Sequence, residues 1–356
     1  MLPAYFDAVH ARIAGRLQEF LQQKADDLTV VNGRGPDAAR RLQEFCLRGK
    51  MLRGCLVHLG WCLAGGSSAG SEAVTNAGAA MELLQSGLLV HDDIMDRDEV
   101  RRGQPALYRH YAEAAAAEGV PESPRVGEAL GICVGDVAYF MAFELLARAE
   151  MPGDARAGVI ELCARELSAV GIAQMQDVYW GASRSPVDAR QIALMYRYKT
   201  GRYSFSLPLL TGARLAGADE ALQGMLEAGG EVLGLLFQVR DDELGLFGDV
   251  QDIGKPAGSD LREGKKTILF SVIAETAPAE DRARLHAILG NPGLAQEDLA
   301  FVRALASRAE VRRRMKEITD PLVREAERRV GEITSGTEAD RAALRWLLDF
   351  SMDRGQ

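Results

Sequence analysis

The sequence predicts an all-α protein. Three observations carry that prediction: Ala, Leu, Glu and Arg dominate, apolar residues recur mostly at three- and four-residue intervals, and strand-like alternation is scarce. The apolar repeats place helices at 3–26, at 36–64 with a break near Gly54, and at 70–97. Gly65-Gly66-Ser67-Ser68 separates the second from the third, and a loop from Gly119 to Pro124 precedes helices at 126–150 and 154–179. Ser185-Pro186-Val187-Asp188 combines a capping serine, a proline in the first turn and an early acid, which starts a helix over 187–215. A helix over 219–245 follows, and the Gly- and charge-rich stretch from Gly248 to Lys266 reads as a long polar loop. Helices at 265–276, 280–290, 295–307, 309–333 and 338–354 complete the chain. No Pro/Ser-rich linker divides it, so 1–356 reads as a single helical domain.

With 356 residues and 47% hydrophobic content the chain can bury a large core. A net charge of −9 argues against nucleic acid or anionic lipid as a partner. The five cysteines, Cys46, Cys55, Cys62, Cys133 and Cys163, form no CxxC pair and sit in apolar helical stretches. Reduced, packed thiols in a cytoplasmic protein are expected. Asp7 and Arg12 interrupt the first apolar stretch, which therefore lacks a signal-peptide core, and no run approaches the ~18 apolar residues of a membrane span.

Two acidic clusters stand out because each ends a long apolar helical run. The first carries Asp92, Asp93 and Asp96; the second carries Asp241 and Asp242. Burying unpaired anions costs several kcal/mol, so adjacent carboxylates at the end of a core helix call for a cation. Asp92 and Asp96 are spaced i, i+4, which stacks them one turn apart on a single face. Divalent metal that also grips a phosphorylated substrate suits that pair, since Mg²⁺ takes one or two carboxylates and fills its other positions with phosphate oxygens and water. The same face continues backward through Leu89, Leu88 and Gln85, giving a charged mouth over a mostly apolar shaft.

Basic residues flank both clusters. Arg101-Arg102-Gly103 follows the first; Lys50 and Arg53 share a helical face behind Gly49; Lys199-Thr200 lies in Tyr-Arg-Tyr-Lys-Thr-Gly-Arg-Tyr; Lys255 and Lys265-Lys266 follow the second. Arginine forks match phosphate oxygens and lysine supplies a point charge, so the set describes one direct anion site and one reached through metal.

These residues together resemble the trans-isoprenyl diphosphate synthase (polyprenyl synthetase) family, with a geranylgeranyl/farnesyl diphosphate synthase-like pattern. The resemblance runs from GKxxR at Gly49 to Arg53, through DDIMD at Asp92 to Asp96 and RRG at Arg101 to Gly103, to Gly135-Asp136 and QMQD with Gln174 and Asp177. Lys199-Thr200, FQxxDD at Phe237 to Asp242 and GKPxGSDLREGKK at Gly254 to Lys266 complete the series. It implies an isoprenoid synthase-type helical bundle of about ten core helices around a deep central cavity, usually a homodimer. By the same resemblance Asp92, Asp96 and Asp241 are Mg²⁺ ligands, with Asp93, Gln174 and Asp242 supporting them. Arg101, Lys199, Lys255 and Lys265 hold an allylic diphosphate, and Gly49, Lys50, Arg53, Gln85 and Arg102 hold isopentenyl diphosphate. Lys199, Thr200 and Gln238 lie near the developing carbocation. About three Mg²⁺ ions, which Mn²⁺ can replace, neutralise the departing diphosphate.

The reaction so implied is head-to-tail: ionisation of the allylic diphosphate, attack by the isopentenyl double bond, and loss of a proton. No strong side-chain base is needed, which agrees with only five histidines. His91 beside the first cluster is therefore expected to pack or hydrogen-bond rather than to catalyse. The family's second motif commonly holds a third aspartate where this chain has Gly245; Asp249 lies roughly 12 Å farther along a continuous helix than Asp241 and cannot simply replace it. Activity is expected to survive, with weaker metal affinity. Gly87 and Leu88, just upstream of Asp92, are not aromatic, so the shaft is expected to run deep and to give a twenty-carbon product. Tyr139, Phe140 and Phe143 are candidates for a lower floor, and fifteen-carbon or twenty-five-carbon and longer products stay open. A class I terpene cyclase would need a different second motif and no isopentenyl site. A head-to-head synthase fails on the same grounds, and a catalytically weak regulatory subunit would usually lack a whole aspartate motif.

Overall fold

The computed structural model describes residues 3–151, 153–183, 185–248 and 257–352. After a 3₁₀ turn at Ala4–Phe6 come α1 (Asp7–Leu28), α2 (Arg34–Leu47), α3 (Leu52–Leu63) and α4 (Glu72–Asp96). A two-residue ladder, β1 (Val100–Arg101) with β2 (Gln104–Pro105), precedes α5 (Leu107–Ala117), α6 (Ser123–Arg148) and α7 (Gly153–Ala182). α8 (Ala189–Tyr196) runs into a π-helical segment, Arg197–Ser206, then α9 (Leu207–Leu215) and α10 (Glu220–Phe247). The described remainder is α11 (Ser259–Glu263), α12 (Ile268–Thr276), α13 (Ala279–Ile288), α14 (Gln296–Ala306), α15 (Ala309–Glu332) and α16 (Glu338–Met352). The all-α expectation holds; the ladder is the only strand pairing among the described residues.

Contacts group the chain into two compact units. The first comprises Met1–Cys163, Pro208–Gln223 and Ser335–Ala343; the second comprises Ala164–Leu207, Gly224–Thr334 and Leu344–Gln356. Within the first, α4 is the central helix, packed against α1, α2, α3, α5 and α6. Its sequence explains why: Ala77, Ala79 and Ala80 are small enough for close approach, while Met81, Leu83 and Leu84 are fully buried, each worth about 1.5–3 kcal/mol. Ser71 caps its start, accepting from Val74 N at 3.3 Å. α6 is long and apolar enough to cross a membrane by length and composition, yet it packs along α4 and α5. The core of the second unit gathers Ile192, Tyr196, Val239, Leu246, Ile268 and Val302 with further apolar residues of α12 to α15.

Several details differ from the sequence reading. The break in 36–64 falls at 48–51, with Met51 in the left-handed region at φ 49°, and Gly54 lies inside α3. α5 belongs to a stretch where no helix was expected, although its Ala-rich end favours one. α8 begins at Ala189 because Asp188, not Ser185, caps it: Asp188 accepts from Arg190 N at 2.6 Å and Gln191 reaches back to Asp188 N. Within the expected polar loop from Gly248 to Lys266, residues 249–256 lie outside the described residues and α11 is helical. Cys46, Cys55, Cys62 and Cys163 are buried, but Cys133 is exposed on α6.

Candidate active site

The first acidic cluster forms at the C-terminal turn of α4. Carboxylates there oppose the helix dipole, so they need a compensating cation. It arrives through a tight hairpin. Arg102 and Gly103 both have positive φ, 54° and 70°, which folds β1 back onto β2. Arg101 thereby places its Nε 2.5 Å from Asp93 Oδ1 and its Nη2 3.0 Å from Asp98 Oδ2 and 3.5 Å from Asp92 Oδ2. Asp93 is fully buried, whereas Asp92 and Asp96 are half-buried. Burial, aided by the neighbouring Asp98 and Asp92, pushes Asp93 up to about 7 against the opposing pull of Arg101. Asp93 Oδ2 has no hydrogen-bond partner among the described residues. A buried carboxylate oxygen left without a donor beside two further carboxylates, Asp92 and Asp96, is what a nearby divalent cation would compensate. These residues fit Mg²⁺.

Arg102 turns the other way. Its Nη1 donates to Phe45 O at 2.7 Å, and the guanidinium stacks 5.1 Å from the Phe45 ring centroid. Those contacts hold a non-glycine residue at positive φ, which costs about 1–2 kcal/mol. The same guanidinium explains Gly49: a Cβ there would lie 2.9 Å from Arg102 Nη1. Arg53 is half-buried, Lys50 is exposed and Gln85 is buried on α4. One turn before Gln85, the buried Glu82 accepts from Gly54 N at 2.8 Å and pulls against the burial that lowers Arg102. Glu82 escaped the sequence reading; its signal is a single acid inside Ala79-Ala80-Met81-Glu82-Leu83-Leu84. A cleft of about 380 Å³ beside Arg102 is lined by Arg41, Arg48, Arg101 and His110, among others.

In the second unit the π-helical segment carries Lys199 and Thr200, a geometry that often marks functional positions. It meets α10 where a Cβ on Gly234 would lie 2.2 Å from Gly201 Cα. That close approach brings Thr200 Oγ1 within 2.8 Å of Gln238 Oε1. Gln238 Nε2 in turn donates to Asp242 Oδ1 at 2.9 Å, and the Tyr196 hydroxyl donates to Asp242 Oδ2. Asp242 is buried, and burial followed by the charge of Asp260 pushes it well above the usual carboxylate range. Asp241 is half-buried. Lys199 Nζ lies 2.6 Å from Asp177 Oδ2, and Gln174 sits one turn before Asp177 on α7. Lys265 Nζ pairs with Glu263 at 2.6 Å; Lys255 lies outside the described residues.

Of the residues considered for product length, Leu88 is half-buried. Gly87 does not open onto a shaft: a Cβ there would lie 2.7 Å from Tyr139 Cε1 and 2.9 Å from Gly135 O, so the glycine serves the approach of α4 to α6. Phe143 is half-buried, and Phe140 is 73% exposed, turned outward. His91 packs on α6, its Nε2 3.0 Å from Ile132 O.

A family model described as Polyprenyl synthetase matches residues 38–305. The geranylgeranyl diphosphate synthase of Sulfolobus acidocaldarius is 30% identical over 312 residues, 87% of this chain and 88% of that one. The short chain isoprenyl diphosphate synthase of Methanocaldococcus jannaschii is 34% identical over 64% of each chain. The crystal structure of geranylgeranyl pyrophosphate synthase from Corynebacterium glutamicum, complexed with isoprenyl diphosphate and magnesium, matches with a TM-score of 0.91 at 28% identity, covering 98% of this chain and 99% of that chain. The fold is thus the all-α isoprenoid synthase class. Within that class, the chain belongs to the polyprenyl synthetase family.

Proposed function

We propose that the chain condenses isopentenyl diphosphate head-to-tail with an allylic diphosphate and releases a twenty-carbon product. One observation carries the reading most directly: consecutive arginines of one hairpin serve two different places. Arg101 enters the aspartate cluster and Arg102 enters the Gly49–Arg53 region. A condensing enzyme needs that division, because one diphosphate must leave while the other stays bound. Asp92, Asp96 and Asp241 would hold Mg²⁺, about three ions in all, with Mn²⁺ able to replace it. When bound, the metal supplies the positive charge that lets an anionic diphosphate depart.

The chain's own residues do the rest. Arg102, Arg53, Lys50 and Gln85 hold isopentenyl diphosphate, and Gly49 leaves room for the Arg102 fork. Lys199, Lys255 and Lys265 contribute charge to the allylic diphosphate, with Lys199 aligned by Asp177. Arg101 fixes Asp93 so that Asp92 and Asp96 keep their register. Thr200 and Gln238 present oxygen atoms that stabilise positive charge developing on the allylic carbon. Leu88 begins the apolar wall for the growing chain. Residues 1–356 would act as one catalytic domain, as a homodimer for which the exposed Phe140 and Ile132 of α6 offer apolar surface, in the cytoplasm. The names of the curated relatives support a twenty-carbon product.

The test is incubation of the purified chain with labelled isopentenyl diphosphate and dimethylallyl, geranyl or farnesyl diphosphate. A twenty-carbon prenyl diphosphate is expected. A hydrocarbon formed without isopentenyl diphosphate would indicate a terpene cyclase. Gly245 favours one second reading, a catalytically weak regulatory subunit, for which no primer would yield turnover.

A further inference from the structure

The π-helical segment Arg197–Ser206 is fastened to α10 by charges that lie away from both acidic clusters. On α10, Gly230, Gly234 and Gln238 follow one another at four-residue steps, flanked by Glu227 and Glu231. The glycines admit the segment: a Cβ on Gly230 would lie 2.6 Å from Ser206 Oγ, which donates to Glu227 O at 2.9 Å. The acids meet Arg202. Its Nε donates to Glu166 Oε2 at 2.8 Å, and its Nη2 to Glu166 Oε1 at 2.7 Å and Glu227 Oε1 at 2.6 Å. Its Nη1 pairs with Glu231. The Arg202 side chain is 13% exposed and that of Glu166 5%, so this fork is a buried one, and a group lost from it would leave charge uncompensated. Arg197 Nη2 lies 2.8 Å from Glu231 Oε2, so two arginines five residues apart share one carboxylate. On an α-helix, residues five apart point about 140° away from each other. Winding in which residue i bonds to i+5 brings them toward one side.

We infer that Arg202 is a positioning residue: by binding Glu166, Glu227 and Glu231 together it holds the segment in its π register, and so keeps Lys199 beside Asp177 and Thr200 against Gln238. That role rests on the proposed reading of Thr200 and Gln238 as groups that stabilise charge on the allylic carbon. Rewinding the segment toward an α-helix would rotate Thr200 off Gln238, since each residue then turns through a larger angle. Lys50, Arg53 and Arg102 belong to the first unit and take no part in this network. The effect of losing the fork should therefore fall on turnover rather than on the hold on isopentenyl diphosphate.

The test compares Arg202→Lys, which keeps the charge but loses the fork, with Thr200→Val and with the two combined. Steady-state incorporation of labelled isopentenyl diphosphate onto farnesyl diphosphate is measured and scaled to the folded fraction found by thermal melting. Arg202→Lys is expected to lower kcat about 10–100-fold, the scale of a misplacement near 1 Å, with the KM for isopentenyl diphosphate moved less than about twofold. Added to Thr200→Val it should cost less than about threefold more, because residues acting as one unit are not additive. Unchanged kcat per folded Arg202→Lys enzyme, or losses that multiply in the double variant, overturns the inference. If Arg202→Lys does not fold, Glu231→Gln, which removes the carboxylate shared with Arg197, takes its place in the same comparison. Thr200→Val alone separates the inference from the reading beneath it. Slow Thr200→Val beside normal Arg202→Lys refutes the inference alone; normal turnover in Thr200→Val refutes the role of Thr200.

Discussion

The two acidic clusters solve one problem in different ways. In each, adjacent aspartates divide the work: the first of the pair, Asp92 or Asp241, stays half-buried, and the second, Asp93 or Asp242, turns into the protein. Asp93 is anchored by a cation, Arg101, and one of its oxygens has no hydrogen bond among the described residues. Asp242 is anchored by neutral donors, Tyr196 and Gln238, one on each oxygen. On the proposed reading, in which Asp92 and Asp241 hold metal, a DD pair is one ligand and one anchor, and the anchor's partner sets how the cluster responds to mutation and pH.

The largest effect should separate ligand from anchor. Asp92→Asn is expected to lower turnover about 10³-fold, near 4 kcal/mol of lost transition-state stabilisation, in an assay of labelled isopentenyl incorporation. Asp241→Asn should behave alike, and an Asp92→Asn enzyme of normal turnover would break the division of labour. Next come the anchors. Arg101→Ala leaves a buried carboxylate uncompensated and should cost about 3–5 kcal/mol of unfolding free energy in chemical denaturation. Tyr196→Phe removes only a neutral donor and should cost about 1–3 kcal/mol. Equal losses would erase the contrast between the clusters.

The pH response sharpens it further. Asp93 sits near 7 in the folded protein and near the usual ~3.9 when unfolded, so its stabilising contribution is complete below about pH 4 and is lost as pH rises through 7. Metal-free protein should therefore gain about 1.4 kcal/mol from this one group between pH 8 and pH 6. Asp93→Asn should flatten that slope, and a slope identical to that of the unsubstituted protein would contradict the assignment. The smallest energetic change concerns the shaft. Leu88→Phe should shorten the product with little loss of stability, read by the chain length of the labelled product. Gly87→Phe, by contrast, should disturb the packing of α4 on α6, because Tyr139 and Gly135 O leave no room.

Much of this was legible in the sequence where one helix carries the information. The period of apolar residues located α4, α6, α7 and α10 to within a few residues, and i, i+4 spacing put Asp92 and Asp96 on one face. What escaped was supplied from far along the chain or by an unexpected backbone. Tyr196 reaches Asp242 across forty-six positions and looks like an ordinary core aromatic until its hydroxyl is placed. Glu82 looks like a stray acid until Gly54 N is found beside it. The π-helical turn at Arg197–Ser206 has no signature in apolar periodicity, because Arg-Tyr-Lys-Thr-Gly-Arg-Tyr-Ser-Phe-Ser holds too few apolar residues to show a period. Gly87 read as an opening because it has no side chain; the structure shows the neighbouring helix filling that absence.

The account rests on metal held by these carboxylates enabling a diphosphate to leave. The direct measurement is product formation from labelled isopentenyl diphosphate and farnesyl diphosphate, using protein stripped with chelator and then titrated with Mg²⁺. The account predicts no product before titration and a twenty-carbon diphosphate after it, with Asp92→Asn failing to recover at any Mg²⁺ concentration. Product formed by the stripped protein, or full recovery by Asp92→Asn, would contradict it.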